Sequence, residues 1–187
     1  MARCGPKRDL EAEQRILDAA ASLIAARGPA QVTINEIAAE AGVGKQTIYR
    51  WWPSKDAVLI DALEQVFDAE NPFADSGSTK EDLRRQMRRV ARSFASATGS
   101  IVRELVAASQ GDPQTAEQFR RRFFDQRRDR ARAVLQRGID RGELTASVPV
   151  EVMIDLLYAP LWLRLLFGHQ PLSNAGVDAL IDAAWHR

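Results

Sequence analysis

Apolar residues recur every three or four positions through almost the whole of this 187-residue sequence, and no run alternates apolar with polar over the length of a strand. That period matches the turn of an α-helix, so each segment must bury one face against other helices. The expected fold class is all-α. Residues 10–27 put Ile16, Leu17, Ala20, Leu23 and Ile24 on one face and stop at Gly28-Pro29, a pair suited to a helix exit. Thr33-Ile34-Asn35-Glu36 has the spacing of a capping box, in which the Thr33 hydroxyl and the Glu36 carboxylate each satisfy the other's backbone N–H. The short helix that follows ends at Gly42, and a second, over 45–52, is closed by Pro53. Ser54 then caps a longer helix carrying Val58, Leu59, Ala62, Leu63, Val66 and Phe67.

Residues 71–79, dense in Pro, Asp, Ser and Gly, read as a loop. Beyond it, Leu83, Met87, Val90, Ala91 and Phe94 stripe one helix, and Gly99 is expected to mark a break after it. A short apolar segment spans 101–110. Asp112-Pro113 opens what reads as one long helix to near Gly142, through Phe119, Phe123, Ala131, Val134, Leu135 and Ile139. Two further helices are expected over 150–167, with Pro160 as a kink, and over 172–185, with Ser173 as N-cap.

Composition excludes more than it selects. An apolar fraction of 45% with 27% charge is that of a folded globular chain rather than a disordered one. The lone Cys4 forms no intrachain disulfide, which fits a reducing cytoplasm. The first residues are polar and the first periodic stretch is amphipathic, so no secretory leader is expected. The most apolar run, 152–167, is interrupted by Asp155, Pro160 and Arg164. It also falls short of the roughly 20 residues a membrane span needs. The net charge of +1 is no electrostatic footprint, so any nucleic-acid reading must rest on where single charges sit.

One segment carries chemistry: TINEIAAEAGVGKQTIYRWWPSK, residues 33–55. Two short helices flank Gly42-Val43-Gly44, the build of a DNA-reading helix-turn-helix. Ile34, Ile37 and Ala41 face inward on the first helix. Ile48 and Trp52, four apart, anchor the second, leaving Lys45, Gln46 and Tyr49 outward. Lys can donate to guanine O6 and N7, and Gln can pair with adenine N6 and N7. Thr33, Thr47, Tyr49, Trp51 and Lys55 supply donors suited to phosphate oxygens.

This segment resembles the tetracycline-repressor (TetR/AcrR) family of regulators. The likeness is carried by the helix before it, by Thr33-Ile34-x-x-Ile37-Ala38-x-x-Ala41-Gly42-Val43, and by Thr47-Ile48-Tyr49-x-x-Trp52-x-x-Lys55. A weaker likeness extends to residues 159–166. Gly44 stands where serine is common, Gln46 where glycine is common, and Trp51-Trp52 replaces a His/Tyr-Phe pair. The resemblance implies an N-terminal three-helix helix-turn-helix domain over 1–53. A C-terminal helical domain over 54–187 would bind an effector and dimerise. It also implies a cytoplasmic homodimer on double-stranded operator DNA, a repressor released by a small-molecule effector. Gly44, Lys45, Gln46 and Tyr49 would lie at the groove, Lys55 would clamp the backbone, and an arm with Arg3, Lys7 and Arg8 would reach a minor groove.

Phe94, Phe119, Phe123, Phe124, Tyr158 and Trp162 are candidates to line an effector pocket, or simply core. Leu156, Leu157, Leu161, Leu165, Leu180, Ile181 and Trp185 exceed what one chain need bury and are expected to pair two copies as a four-helix bundle. The arginine rows 84–92 and 120–128 read as solvated faces paired with nearby acids. Neither His169 nor His186 has a catalytic or metal-binding partner at suitable spacing, so no metal, cofactor or catalytic residue is expected. A helical module that binds only protein stays open as the rival.

Overall fold

The computed structural model describes residues 9–145 and 148–185, and their regular structure is helical throughout. Cys4, the arm residues Arg3, Lys7 and Arg8, and His186 lie outside the described residues. The first helix, α1 (Leu10–Arg27), starts at Asp9, whose carboxylate accepts from the backbone N–H of Glu11 and Ala12. A 3₁₀ turn (Pro29–Gln31) leads to α2 (Ile34–Glu40). The capping box forms as the spacing implied: Glu36 N–H donates to Thr33 Oγ1 at 3.3 Å and Thr33 N–H to Glu36 Oε2 at 2.9 Å. Gly42, at φ +64°, supplies the left-handed turn. Then come α3 (Lys45–Trp51) and α4 (Lys55–Glu70), the latter capped by Ser54.

Beyond the loop lie α5 (Thr79–Phe94) and α6 (Ala97–Gly111). Gly99 does not break the chain, as its sequence position suggested, but sits within the first turn of α6. A Cβ there would lie 1.9 Å from the Phe94 carbonyl oxygen, so hydrogen is the only side chain this helix junction admits. The long helix expected from 113 is also corrected. It is α7 (Pro113–Phe119), a π-helical turn (Arg120–Asp125) and α8 (Gln126–Asp140). Regular turns would rotate neighbouring side chains by about 100°. The wider turn brings consecutive Phe123 and Phe124 both toward the interior. Two helices finish the fold: α9 (Val150–Phe167), with Pro160 inside it, and α10 (Asn174–Trp185), where Ser173 accepts from the Gly176 N–H.

One apolar core runs from Ile16 and Trp52 through Leu59, Leu83 and Phe123 to Leu161 and Ile181. At about 25 cal/mol per Å² of apolar surface, this burial is the main driving force. The α5 arginines fasten α10 alongside it: Arg88 forms a two-pronged pair with Asp178, at 2.9 and 2.6 Å, and Arg84 reaches Asp178 and Asp182. That row is a structural clamp. No described helix is long and apolar enough to cross a membrane.

Candidate nucleic-acid interface and the cavity behind it

The short α3 can present side chains outward only because its inner side is held. Ile48 is fully buried and Trp52, at the C-cap, is 1% exposed. The Trp52 indole N–H donates to Asp61 Oδ2 of α4 at 2.7 Å, inside the molecule. This bond fixes the end of α3 on α4. Lys45, Gln46, Tyr49 and Arg50 all lie on the exposed side, next to the exposed Gly44. The Gly44 position is open, with nothing within 4 Å of an added Cβ. Thr47 is half-buried. Trp51 packs edge-on against Trp52 with 5.8 Å between ring centroids, and the Arg50 guanidinium lies 5.4 Å from the Trp51 ring. Arg50 belongs with this face although the sequence reading passed over it; a cation one residue beyond an exposed tyrosine was the available signal.

Two of the expected DNA contacts also have partners within the chain. The Thr33 hydroxyl donates to Glu36 Oε2 at 2.9 Å, so its proton is not free for a phosphate. The same bond is the first cause holding the Glu36 carboxyl below the ordinary glutamate range, with Arg27 adding to it. The Lys55 ammonium turns from the outer face toward the joint with α6. It donates to the Pro29 carbonyl at 3.1 Å and lies 3.9 Å from Glu104.

Behind α4 lies a cavity of about 390 Å³ between α4, α5, the π turn, α8 and α9. Five of the chain's seven phenylalanines line it: Phe67, Phe73, Phe94, Phe123 and Phe124. Trp162 stands among them, edge-to-face with Phe94 at 5.2 Å and Phe124 at 5.8 Å. Of the residues expected here, Phe94, Phe123, Tyr158 and Trp162 line the space. Phe119 does not; it is stacked on Phe123 at 5.1 Å, one layer behind the wall.

The polar wall groups are Gln86, Tyr158, Asp155, Arg127 and Arg128. The Tyr158 hydroxyl donates to Gln86 Oε1 at 2.7 Å, and burial pushes this phenol above its ordinary pKa. Arg127 lies between rings, 3.8 Å from Phe123 and 4.8 Å from Phe67, and pairs with Asp68. Burial lowers its pKa to about 10, and its enclosed Nε has no hydrogen-bond partner. Periodicity had read Arg127 and Arg128 as solvated, because α-helical phase does not anticipate the π turn.

The π turn also joins the two sites. Arg122, next to the wall residues Phe123 and Phe124, pairs with Asp61 Oδ1, and the other oxygen of that carboxylate accepts from Trp52. A continuous path thus runs from the cavity wall to the end of α3.

The residues expected to pair two copies divide. Leu157, Leu161, Leu165 and Ile181 are at most 3% exposed within the single chain, so they have no surface left to give a partner. Leu180 and Trp185 are half-buried, and Leu156 is exposed. The outward row on α9 is instead Val152, Leu156, Leu163 and Phe167, 42–74% exposed. The sequence reading mixed inward with outward positions because α9 is apolar nearly all round, which leaves period without direction.

Comparison with known proteins finds two family models along the chain. Residues 16–62 match the model of the bacterial regulatory proteins, tetR family, and residues 73–184 match the tetracyclin repressor-like C-terminal domain. The HTH-type transcriptional regulator YdeS of Bacillus subtilis (strain 168) is 37% identical over 181 residues, covering 97% of this chain and 91% of its own. The DNA-binding transcriptional repressor TetR of Mycobacteroides abscessus is 29% identical, covering 89% of this chain and 88% of its own. Among solved structures, the TetR family transcription regulator SCO0332 superposes with a TM-score of 0.88 at 32% identity, over 94% of this chain and 97% of that one.

Proposed function

Because this chain belongs to the TetR family of bacterial transcriptional regulators, we propose that it is a homodimeric repressor released from its operator by a small molecule. The helix-turn-helix of residues 1–53 reads the operator in the cytoplasm, and residues 54–187 hold the effector and the partner copy. The observation that carries the reading is a polar face of Lys45, Gln46 and Tyr49 on a helix pinned by buried Ile48 and Trp52. Lys45 and Gln46 contact base edges, while Tyr49, Arg50, Trp51 and Thr47 approach phosphates on either side of the groove. Gly44 lets the backbone come close. Lys55 packs at the joint with α6, bonded to the Pro29 carbonyl, and the remaining N–H groups of its ammonium clamp a phosphate.

Two copies meet through the exposed apolar row of α9 and through α10. On α10 the exposed residues Ala175, Ala179 and Ala183 permit close helix approach. The dimer sets the two reading helices one turn of DNA apart, roughly 34–36 Å. A ligand in the cavity displaces Phe123 and Phe124, and with them Arg122, Asp61 and Trp52, so the reading helices lose that spacing. Such a ligand must prefer the released conformation, since equal affinity for both shifts nothing. The mycobacterial relative's name supports repression as the direction of control.

The test is a gel shift on DNA upstream of the chain's own gene. Specific binding that weakens steeply between low and high salt supports the reading. Indifference to DNA would favour the protein-binding module.

A further inference from the structure

The wall chemistry of the cavity goes further than its existence, and the following rests on reading it as the effector site. We propose that the effector is a neutral, flat aromatic molecule bearing one hydroxyl or carbonyl group, rather than an acid or an amine.

Three observations select that class. The first is charge. Each cation on the wall already has its counter-charge: Arg127 pairs with Asp68, and Arg128 pairs with Glu151 and Asp155. Arg127 still has an unpartnered N–H at Nε, but that atom is enclosed and out of a ligand's reach. An incoming carboxylate would lose its water and find no unpaired cation in exchange. An ammonium would find the one wall carboxylate, Asp155, already paired with Arg128, and several of the rings already beside a cation. Arg127 covers Phe67 and Phe123, and Arg128 lies 5.6 Å from Phe124.

The second is hydrogen bonding. Gln86 is 4% exposed and lines the cavity. Its Oε1 accepts from Tyr158, which leaves its Nε2 as a free donor and the Tyr158 oxygen as a free acceptor. Turning the amide over exchanges the two roles and still leaves one donor and one acceptor. A hydroxyl satisfies both groups and a carbonyl satisfies the donor. The third is shape and size. The remaining wall is aromatic, with Trp162 edge-on to its neighbours, which favours a ring that slots between them. At 390 Å³ the space holds roughly a dozen water-sized groups.

The experiment is isothermal titration of the full-length protein at pH 7 with four probes of one size: 4-phenylphenol, biphenyl, biphenyl-4-carboxylate and 4-phenylbenzylamine. The phenol should bind tightest, about tenfold tighter than biphenyl, the worth of one buried hydrogen bond. In Gln86→Leu that preference should fall to about unity while biphenyl affinity holds; Tyr158→Phe, which keeps the ring, should reduce it as well. Thermal melting of both variants checks that they fold. Tighter binding of the carboxylate or the amine, or an unchanged preference in folded Gln86→Leu, overturns the class alone. If no probe binds, or if binding survives Trp162→Ala unaltered, the cavity is not the effector site and both readings fall.

Discussion

Asp61 is the residue on which the link between cavity and reading helix can be weighed. It is 9% exposed, and its two carboxylate oxygens serve two different helical segments. Replacing it with alanine strands the Trp52 indole N–H, which is 1% exposed and has no route to water. A buried donor left unsatisfied costs about 1–3 kcal/mol. Arg122 also loses its partner, but its side chain is 48% exposed and regains water, so that loss adds only about 0.2–1 kcal/mol. The total is about 1–4 kcal/mol for Asp61→Ala. For Asp61→Asn, which keeps an oxygen for Trp52, about 1 kcal/mol is expected. The double variant separates the bond from simple loss of packing. With Trp52→Phe already in place there is no N–H to strand, so Asp61→Ala should then cost about 1–2 kcal/mol less than in the wild type. Urea unfolding followed by circular dichroism, at one fixed protomer concentration, measures the wild type and all these variants. Additivity within about 0.5 kcal/mol would refute the claim that this bond holds α3 to α4. Operator affinity should follow the same order, Asp61→Asn binding better than Asp61→Ala.

Other outcomes follow from single contacts. Gly99→Ala should lower the melting temperature by at least about 3 °C, because its Cβ would stand 1.9 Å from the Phe94 carbonyl oxygen; an unchanged melt contradicts the close approach. Thr33→Ala should cost about 0.5–2 kcal/mol as a lost helix cap. It should also weaken a pH dependence, leaving the part set by the backbone N–H at 33 and by Arg27. The Glu36 carboxyl is lowered from its ordinary value of 4.5, so its contribution is complete above that value and fades as pH falls through the lower, folded pKa. A Thr33→Ala protein whose acid unfolding matches the wild type argues against the box. Leu163→Glu on the outward row of α9 should yield a monomer by light scattering, whereas a dimer unaffected by it would move the interface elsewhere.

Local signals in the sequence were faithful wherever the chain's own chemistry set the structure. The Thr33–Glu36 box, the Gly42 turn, the Ser54 cap and the limits of α1 and α9 are each decided by residues within one turn of the feature. The inward anchors Ile48 and Trp52 followed from spacing alone. What stayed hidden depends on packing between distant segments. The π turn arises where Phe123 and Arg122 answer to α4, sixty residues away, and no period in 113–142 announces it. Gly99 looked like a break because its reason, the Phe94 carbonyl, lies across a helix junction. Lys55 sits where the family likeness puts a phosphate contact, and its added bond to the Pro29 carbonyl had no local signal. Gln86, the polar core of the cavity, sits in an arginine-rich helix where one more polar residue carries no signal.

The outward face of α3 is tested most directly by measuring which duplexes the protein retains from a randomised pool, for the wild type and for Gln46→Ala. Wild-type protein should recover a two-fold symmetric site with half-sites about 10 base pairs apart. The variant should lose preference at one base pair in each half, worth about 1–3 kcal/mol, and keep it at the rest. Recovery of the same profile by both proteins, or of sites without symmetry, would contradict base reading by a paired α3.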